Sequence, residues 1–149
     1  MTPEQFITKL AKQQQALERC VHRELPIKVG REAKNHFQEN FQKGGFVDGG
    51  LHKWKPAKRI GKGKDAASKY GTLLSARNHL YDSVEYVPGD AEVHIQNKVP
   101  YAAVHNEGLK AGRGKGFIMP KRQFIGDSKE LTEKVKDTIE TELSKIINL

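Results

Sequence analysis

Residues 84–95, VEYVPGDAEVHI, decide the fold class. Val84 and Tyr86 share one face of an alternating run, and Ala91, Val93 and Ile95 share one face of a second. Alternation with a period of two marks a half-buried strand, because successive side chains leave a strand on opposite sides. Between the two runs, Val87-Pro88-Gly89-Asp90 supplies turn chemistry, so the stretch predicts a β-hairpin.

Helical periodicity takes over on both sides of the hairpin. Thr2-Pro3-Glu4-Gln5 has the layout of a capping box with proline in the first turn, and Phe6, Leu10, Leu17, Val21 and Leu25 follow at helical spacing. Pro26 is expected to stop that helix. A second helix is expected over about 28–42, on the stripe Val29, Ala33, Phe37, Phe41, with Gly44-Gly45 where a left-handed cap costs least. Just before the hairpin, YGTLLSARNHLYDSV (70–84) reads as a short helix through Leu73, Leu74, Arg77 and Leu80. Beyond the hairpin, a short helix should begin at Pro100 and end at Gly108, and FIMPKRQFIG (117–126) has enough apolar residues for a strand or extended edge. Asp127-Ser128-Lys129-Glu130 then resembles a cap for a last helix carrying Leu131, Val135, Ile139, Leu143 and Ile147 in steps of four. Strands segregated from helices predict an α+β domain spanning 1–149: a small, mainly antiparallel sheet between N- and C-terminal amphipathic helices. Such a sheet keeps open edges unless helices or neighbouring subunits cover them.

Two stretches lack periodicity. Residues 46–71 carry Lys53, Lys55, Lys58, Arg59, Lys62, Lys64 and Lys69 against only Asp48 and Asp65, and residues 109–116 carry Lys110, Arg113 and Lys115 with no acid. Both are expected to be long, mobile basic loops, since segments poor in apolar residues cannot offset the entropy of ordering. Charge of this kind suits phosphates or an acidic protein surface, or simply a solvated loop. Trp54 stands out among these polar neighbours: its indole either plugs the edge of the core or anchors a partner.

Composition narrows the chemistry. The chain has 149 residues, a net charge of +8, and 36% hydrophobic against 30% charged residues, enough for one modest core and against a fully disordered chain. Apolar runs are far shorter than the roughly 20 residues of a membrane span, and the N-terminus has no signal-peptide core, so a soluble, unsecreted protein is expected. One cysteine, Cys20, excludes an intrachain disulfide and a multi-cysteine zinc site, and reads as a small hydrophobe. The six histidines, His22, His36, His52, His79, His94 and His105, show no metal-ligand spacing. His105-Asn106-Glu107 places a carboxylate near an imidazole, but residues this close along a helix do not face each other. The glycine-rich RIGKGKD and AGRGKG match no phosphate-binding loop. No catalytic, metal or cofactor site is therefore expected.

Four stretches in order carry a family resemblance: Gly49-Gly50 with Trp54-Lys55-Pro56 and a basic loop; Leu73-Leu74 through Leu80-Tyr81-Asp82-Ser83-Val84; Val99-Pro100-Tyr101-Ala102-Ala103-Val104-His105-Asn106-Glu107-Gly108; and Phe124-Ile125-Gly126-Asp127-Ser128. Over about residues 37–128 the chain resembles the phage virion morphogenesis proteins, also called tail completion or tail terminator proteins. It departs from them at Ser75–Leu80, where relatives often have Thr-Gly-x-Leu, and at Arg122-Gln123-Phe124, where they have Arg-Pro-Phe. The resemblance implies a non-enzymatic virion protein of a tailed phage or prophage, assembled in the host cytoplasm, without membrane attachment, at the head–tail joint or tail-tube end. It also implies a homo-oligomeric ring, commonly sixfold, closing on a template, with tail tube or head connector as partner. Expected contact residues are Trp54, Lys55, Lys58, Arg59, Lys62, Lys64, Lys110, Arg113 and Lys115. Tyr101, His105 and Phe124 form the centre of the site or pack the short helix under the last one. From charge alone, the competing expectation is a small basic protein that grips DNA phosphates without reading sequence.

Overall fold

A computed structural model describes residues 1–63 and 69–148; Lys64, one of the expected contact residues, lies outside them. Thr2 caps helix α1 (Pro3–Arg19) through a reciprocal pair: its hydroxyl accepts the Gln5 N–H at 3.1 Å, and the Gln5 side chain accepts the Thr2 N–H at 2.9 Å.

Pro26, expected to end this helix, does not. The chain passes through one π-helical turn, Cys20–Glu24, and continues as α2, Leu25–Lys43. Proline has no N–H for the carbonyl four residues back, here His22, and its ring crowds that carbonyl. The wider turn makes room, with Leu25 donating to Cys20, five residues back. The orphaned His22 carbonyl then accepts the N–H of Ala91 at 3.2 Å, so a local defect becomes a tertiary tie to the hairpin.

The stripe on α2 is buried as expected through Ala33, Phe37 and Phe41, and the helix closes on Gly44 in the left-handed region. Hairpin strands β1 (Val84–Gly89) and β2 (Glu92–Asn97) pair antiparallel, with Val84 opposite Asn97 and Tyr86 opposite Ile95. Gly30 lets α2 cross them closely, since a Cβ there would lie 2.6 Å from the Tyr86 ring. Ala91, expected on a strand face, instead sits in the turn at φ 54°, because the register closes at Gly89 opposite Glu92.

Four further expectations are corrected. In place of one sheet there are three separate antiparallel ribbons: β1–β2, β3–β4 (Gly45–Val47 with Leu51–Lys53) and β5–β6 (Lys110–Ala111 with Phe117–Ile118). The α+β class holds, but each ribbon packs on helices or stands alone. Segment 70–84 is mostly turns, and only α3 (His79–Asp82) is helical. The Arg59 guanidinium takes the carbonyls of Tyr70, Gly71 and Leu74, and Leu73 and Asn78 adopt positive φ. The first part of 46–71 is a ribbon ending on a buried Trp54, and 109–116 is the body and tip of the β5–β6 ribbon. The short helix α4 (Ala102–Glu107) starts after Tyr101 rather than at Pro100, and ends on Gly108 as expected.

Ser128 caps the last helix, α5 (Lys129–Ile147), accepting the Leu131 N–H at 3.3 Å. α5 runs antiparallel to α2, tied by Lys28–Glu142 at 2.8 Å and by Thr138 donating to Glu32 at 2.6 Å. The core lies where α2, the first hairpin, α4 and the segment before α5 meet, around Phe37, Phe41, Val84, Val99 and Phe124.

Candidate functional site

Phe124 organises the region that the sequence singles out. It is 1% exposed and packs on Phe41 with ring centroids 5.0 Å apart, so it is a core residue rather than a contact. Two asparagines clamp its backbone. Asn106 on α4 accepts the N–H groups of Phe124 at 2.9 Å and Ile125 at 3.0 Å, while Asn40 on α2 donates to the Phe124 carbonyl at 3.0 Å and accepts from Val47 at 3.3 Å. Neither was picked out by sequence reasoning. The available signal was a polar residue on the apolar face of α2, between Phe37 and Phe41, and Asn106 inside the stretch before Gly108.

Trp54 belongs to the same unit. It is buried, edge-on to Phe41, and its indole N–H donates to the Gln123 carbonyl at 2.8 Å. Of its two readings, the core plug is the one observed, and a buried indole with its donor satisfied presents nothing to a partner. Arg122, also buried, donates from Nε to the Lys55 carbonyl at 2.8 Å, and burial lowers its pKa. These contacts pin the start of the first basic stretch to the core.

Arg59 is likewise engaged with backbone, through the carbonyls of Tyr70, Gly71 and Leu74 at 2.7–2.9 Å, so it organises its own loop instead of projecting from it. Lys55, Lys58 and Lys62 are exposed. Tyr101 is 45% exposed, with His105 edge-on to its ring at 6.0 Å. His105 is half-buried and its Nδ1 has no hydrogen-bond partner among the described residues; burial first, and then the charge of Arg122, pull its pKa down. The neighbouring Glu107 carboxylate accepts from Asn106 at 2.7 Å and does not meet the imidazole. Arg59, Thr72, His79, Tyr101, His105 and Arg122 border a cavity of about 240 Å³. Among the described residues, no group of three His, Cys, Asp or Glu side chains converges as a metal site would require.

The β5–β6 ribbon is the second basic element. Lys110, Arg113 and Lys115 are all exposed, and so are Phe117 (55%) and Ile118 (70%) beside them. Its tip depends on glycine: Gly116 sits at φ 59°, and a Cβ there would lie 2.4 Å from the Ala111 carbonyl oxygen. Met119 N–H to the Leu109 carbonyl at 2.9 Å closes the base. The ribbon is thus a hydrogen-bonded hairpin that exposes cationic and apolar side chains together. Sequence reasoning placed its charges but not the exposure of Phe117 and Ile118.

These features define a small α+β scaffold that presents cationic and apolar surfaces from short ribbons and helices. The family model of the phage virion morphogenesis family matches residues 4–144, and the chain belongs to that family. It is similar to the Mu-like prophage FluMu G protein 2 of Haemophilus influenzae, with 30% identity over 96 residues, 62% of this chain and 63% of that protein. The match therefore spans less than two thirds of the relative's length. No solved structure matches the chain. Membership makes this a virion-associated protein with a structural, morphogenetic role in phage assembly. Among the described residues, no helix is long and apolar enough to cross a membrane.

Proposed function

We propose that the protein acts at the head–tail joint or the end of the tail tube, where it completes or terminates the tail so that a head can join. On this reading it works without catalysis, as a ring of identical copies, commonly six, that closes on the tail as template. The observation that carries the reading is the match of residues 4–144, nearly the whole chain, to a virion morphogenesis family. The surface supports it. Lys110, Arg113 and Lys115 project beside Phe117 and Ile118, a combination that steers toward an acidic protein face and then buries apolar area on it. Lys55, Lys58 and Lys62 are exposed as well.

The test is mass and copy number: light scattering of the protein alone and with purified tail tubes, then electron microscopy of tube ends. A ring of copies capping the tube is expected. A protein that never associates with tubes or connectors, but retards DNA with a steep negative slope of log affinity on log salt, would overturn the reading in favour of phosphate gripping.

A further inference from the structure

The cavity beside Tyr101 and His105 is lined by positive charge without a negative one. It measures about 240 Å³; the buried Thr72, Leu80 and Arg122 form its inner wall, and the exposed His79 and Tyr101 stand at its mouth. Among the described residues, no Asp or Glu borders it and none pairs with Arg122. Arginine is seldom buried without a carboxylate, because its charge gives up water and gains no counter-charge in return.

Hydrogen bonds satisfy only part of the guanidinium. Its Nε donates to the Lys55 carbonyl at 2.8 Å, but among the described residues Nη1 reaches only the Met119 sulfur, at 3.9 Å, and Nη2 only the Pro56 carbonyl, at 3.5 Å. Good N–H···O bonds span roughly 2.7–3.2 Å, so both terminal nitrogens keep most of their donor capacity. His105 lies close enough for the charge of Arg122 to depress its pKa, and its Nδ1 is buried without a partner among the described residues. Two polar groups that border one cavity are therefore under-satisfied.

We propose that this cavity receives one carboxylate on a short aliphatic stem, the side chain of a Glu or Asp presented by another protein. The carboxylate pairs with the planar fork of Arg122, which supplies two parallel donors. Its stem packs on Leu73 and Leu80, and on the Tyr101 ring at the mouth. A volume of about 240 Å³ lies below the roughly 300–1,000 Å³ of sites that enclose a whole small ligand, and it suits a single side chain. The site is defined without reference to where on the virion the protein acts, so its failure leaves the tail-end reading standing.

The test is an NMR titration of the full chain, at constant pH and ionic strength, with glutamate capped at both backbone ends, with glutamine capped in the same way, and with inorganic phosphate. Capped glutamate is expected to give saturable shifts of the His105 and Tyr101 ring resonances. Capped glutamine has the same shape without the charge and should bind on the order of tenfold more weakly. Equal binding of the two, or shifts spread over surface lysines without saturation at His105, overturns the inference. Tighter binding of phosphate than of capped glutamate overturns the carboxylate assignment. Arg122→Lys removes the fork and should weaken glutamate binding on the order of tenfold. Because Arg122 also holds the Lys55 carbonyl, a second variant separates binding from folding. His79 is exposed, so His79→Glu should keep the thermal midpoint while setting a carboxylate at the mouth that repels or replaces the probe. Unchanged glutamate affinity in that variant, at unchanged stability, overturns the placement.

Discussion

Asn40→Ala tests whether the clamp on Phe124 holds the region together. Asn40 is fully buried, and the substitution strands the buried Phe124 carbonyl and the Val47 N–H. An unsatisfied buried acceptor costs about 1–3 kcal/mol. The Val47 bond is long at 3.3 Å and only half-buried, so it adds the roughly 0.5–1.5 kcal/mol of an ordinary hydrogen bond. The sum is a loss of about 1.5–4.5 kcal/mol. At about 2–4 °C per kcal/mol for a chain near this size, the thermal midpoint should drop by roughly 3–18 °C. Trp54, the sole tryptophan, is buried against Phe41 and reports unfolding directly, so urea titration followed by its fluorescence is the assay. Gln42→Ala, at an exposed position of the same helix, serves as control and should change stability by less than about 0.5 kcal/mol. A loss below about 1 kcal/mol for Asn40→Ala at unchanged m-value would refute the reasoning, because it would mean that water or a relaxed backbone satisfies both groups.

Removing the ribbon tip, residues 112–116, should leave cooperative unfolding intact while abolishing tail completion; loss of cooperativity would show that the tip belongs to the core. Ala91→Gly should raise stability by about 0.5–1 kcal/mol, read as a higher urea midpoint, since alanine at φ 54° carries left-handed strain that glycine does not. Acid should weaken the fold. Burial is the leading cause that lowers the pKa of both His36 and His105 below the ordinary 6.5. The unfolded chain therefore binds more protons between the folded pKa values and 6.5. Stability is full above that window and falls as pH drops through it, and the double variant His36→Gln with His105→Gln should flatten the slope of urea midpoint against pH.

Local chemistry, read directly from residues, accounts for the hairpin at 84–97, the caps at Thr2 and Ser128, the α2 stripe and its Gly44 stop. Each depends on neighbours within a few positions: alternation, a hydroxyl before a helix, a glycine free to turn left-handed. The order of the quoted stretches was also enough to place the chain among virion morphogenesis proteins, because order survives where spacing drifts. Tertiary structure alone decided the rest. Pro26 reads as a stop, but the carbonyl it strands finds a donor at Ala91, 69 residues from His22 along the chain and adjacent only after folding. Segment 70–84 has helical spacing, yet Arg59 takes the carbonyls a helix would have used. Trp54 and Phe124 carry the same apolar signal whether they anchor a partner or fill a core, and burial settles both as core. The face of α1 follows the same logic: helical periodicity shows that the helix has an apolar side, but only the tertiary fold decides that Phe6, Ile7 and Leu10 stay exposed.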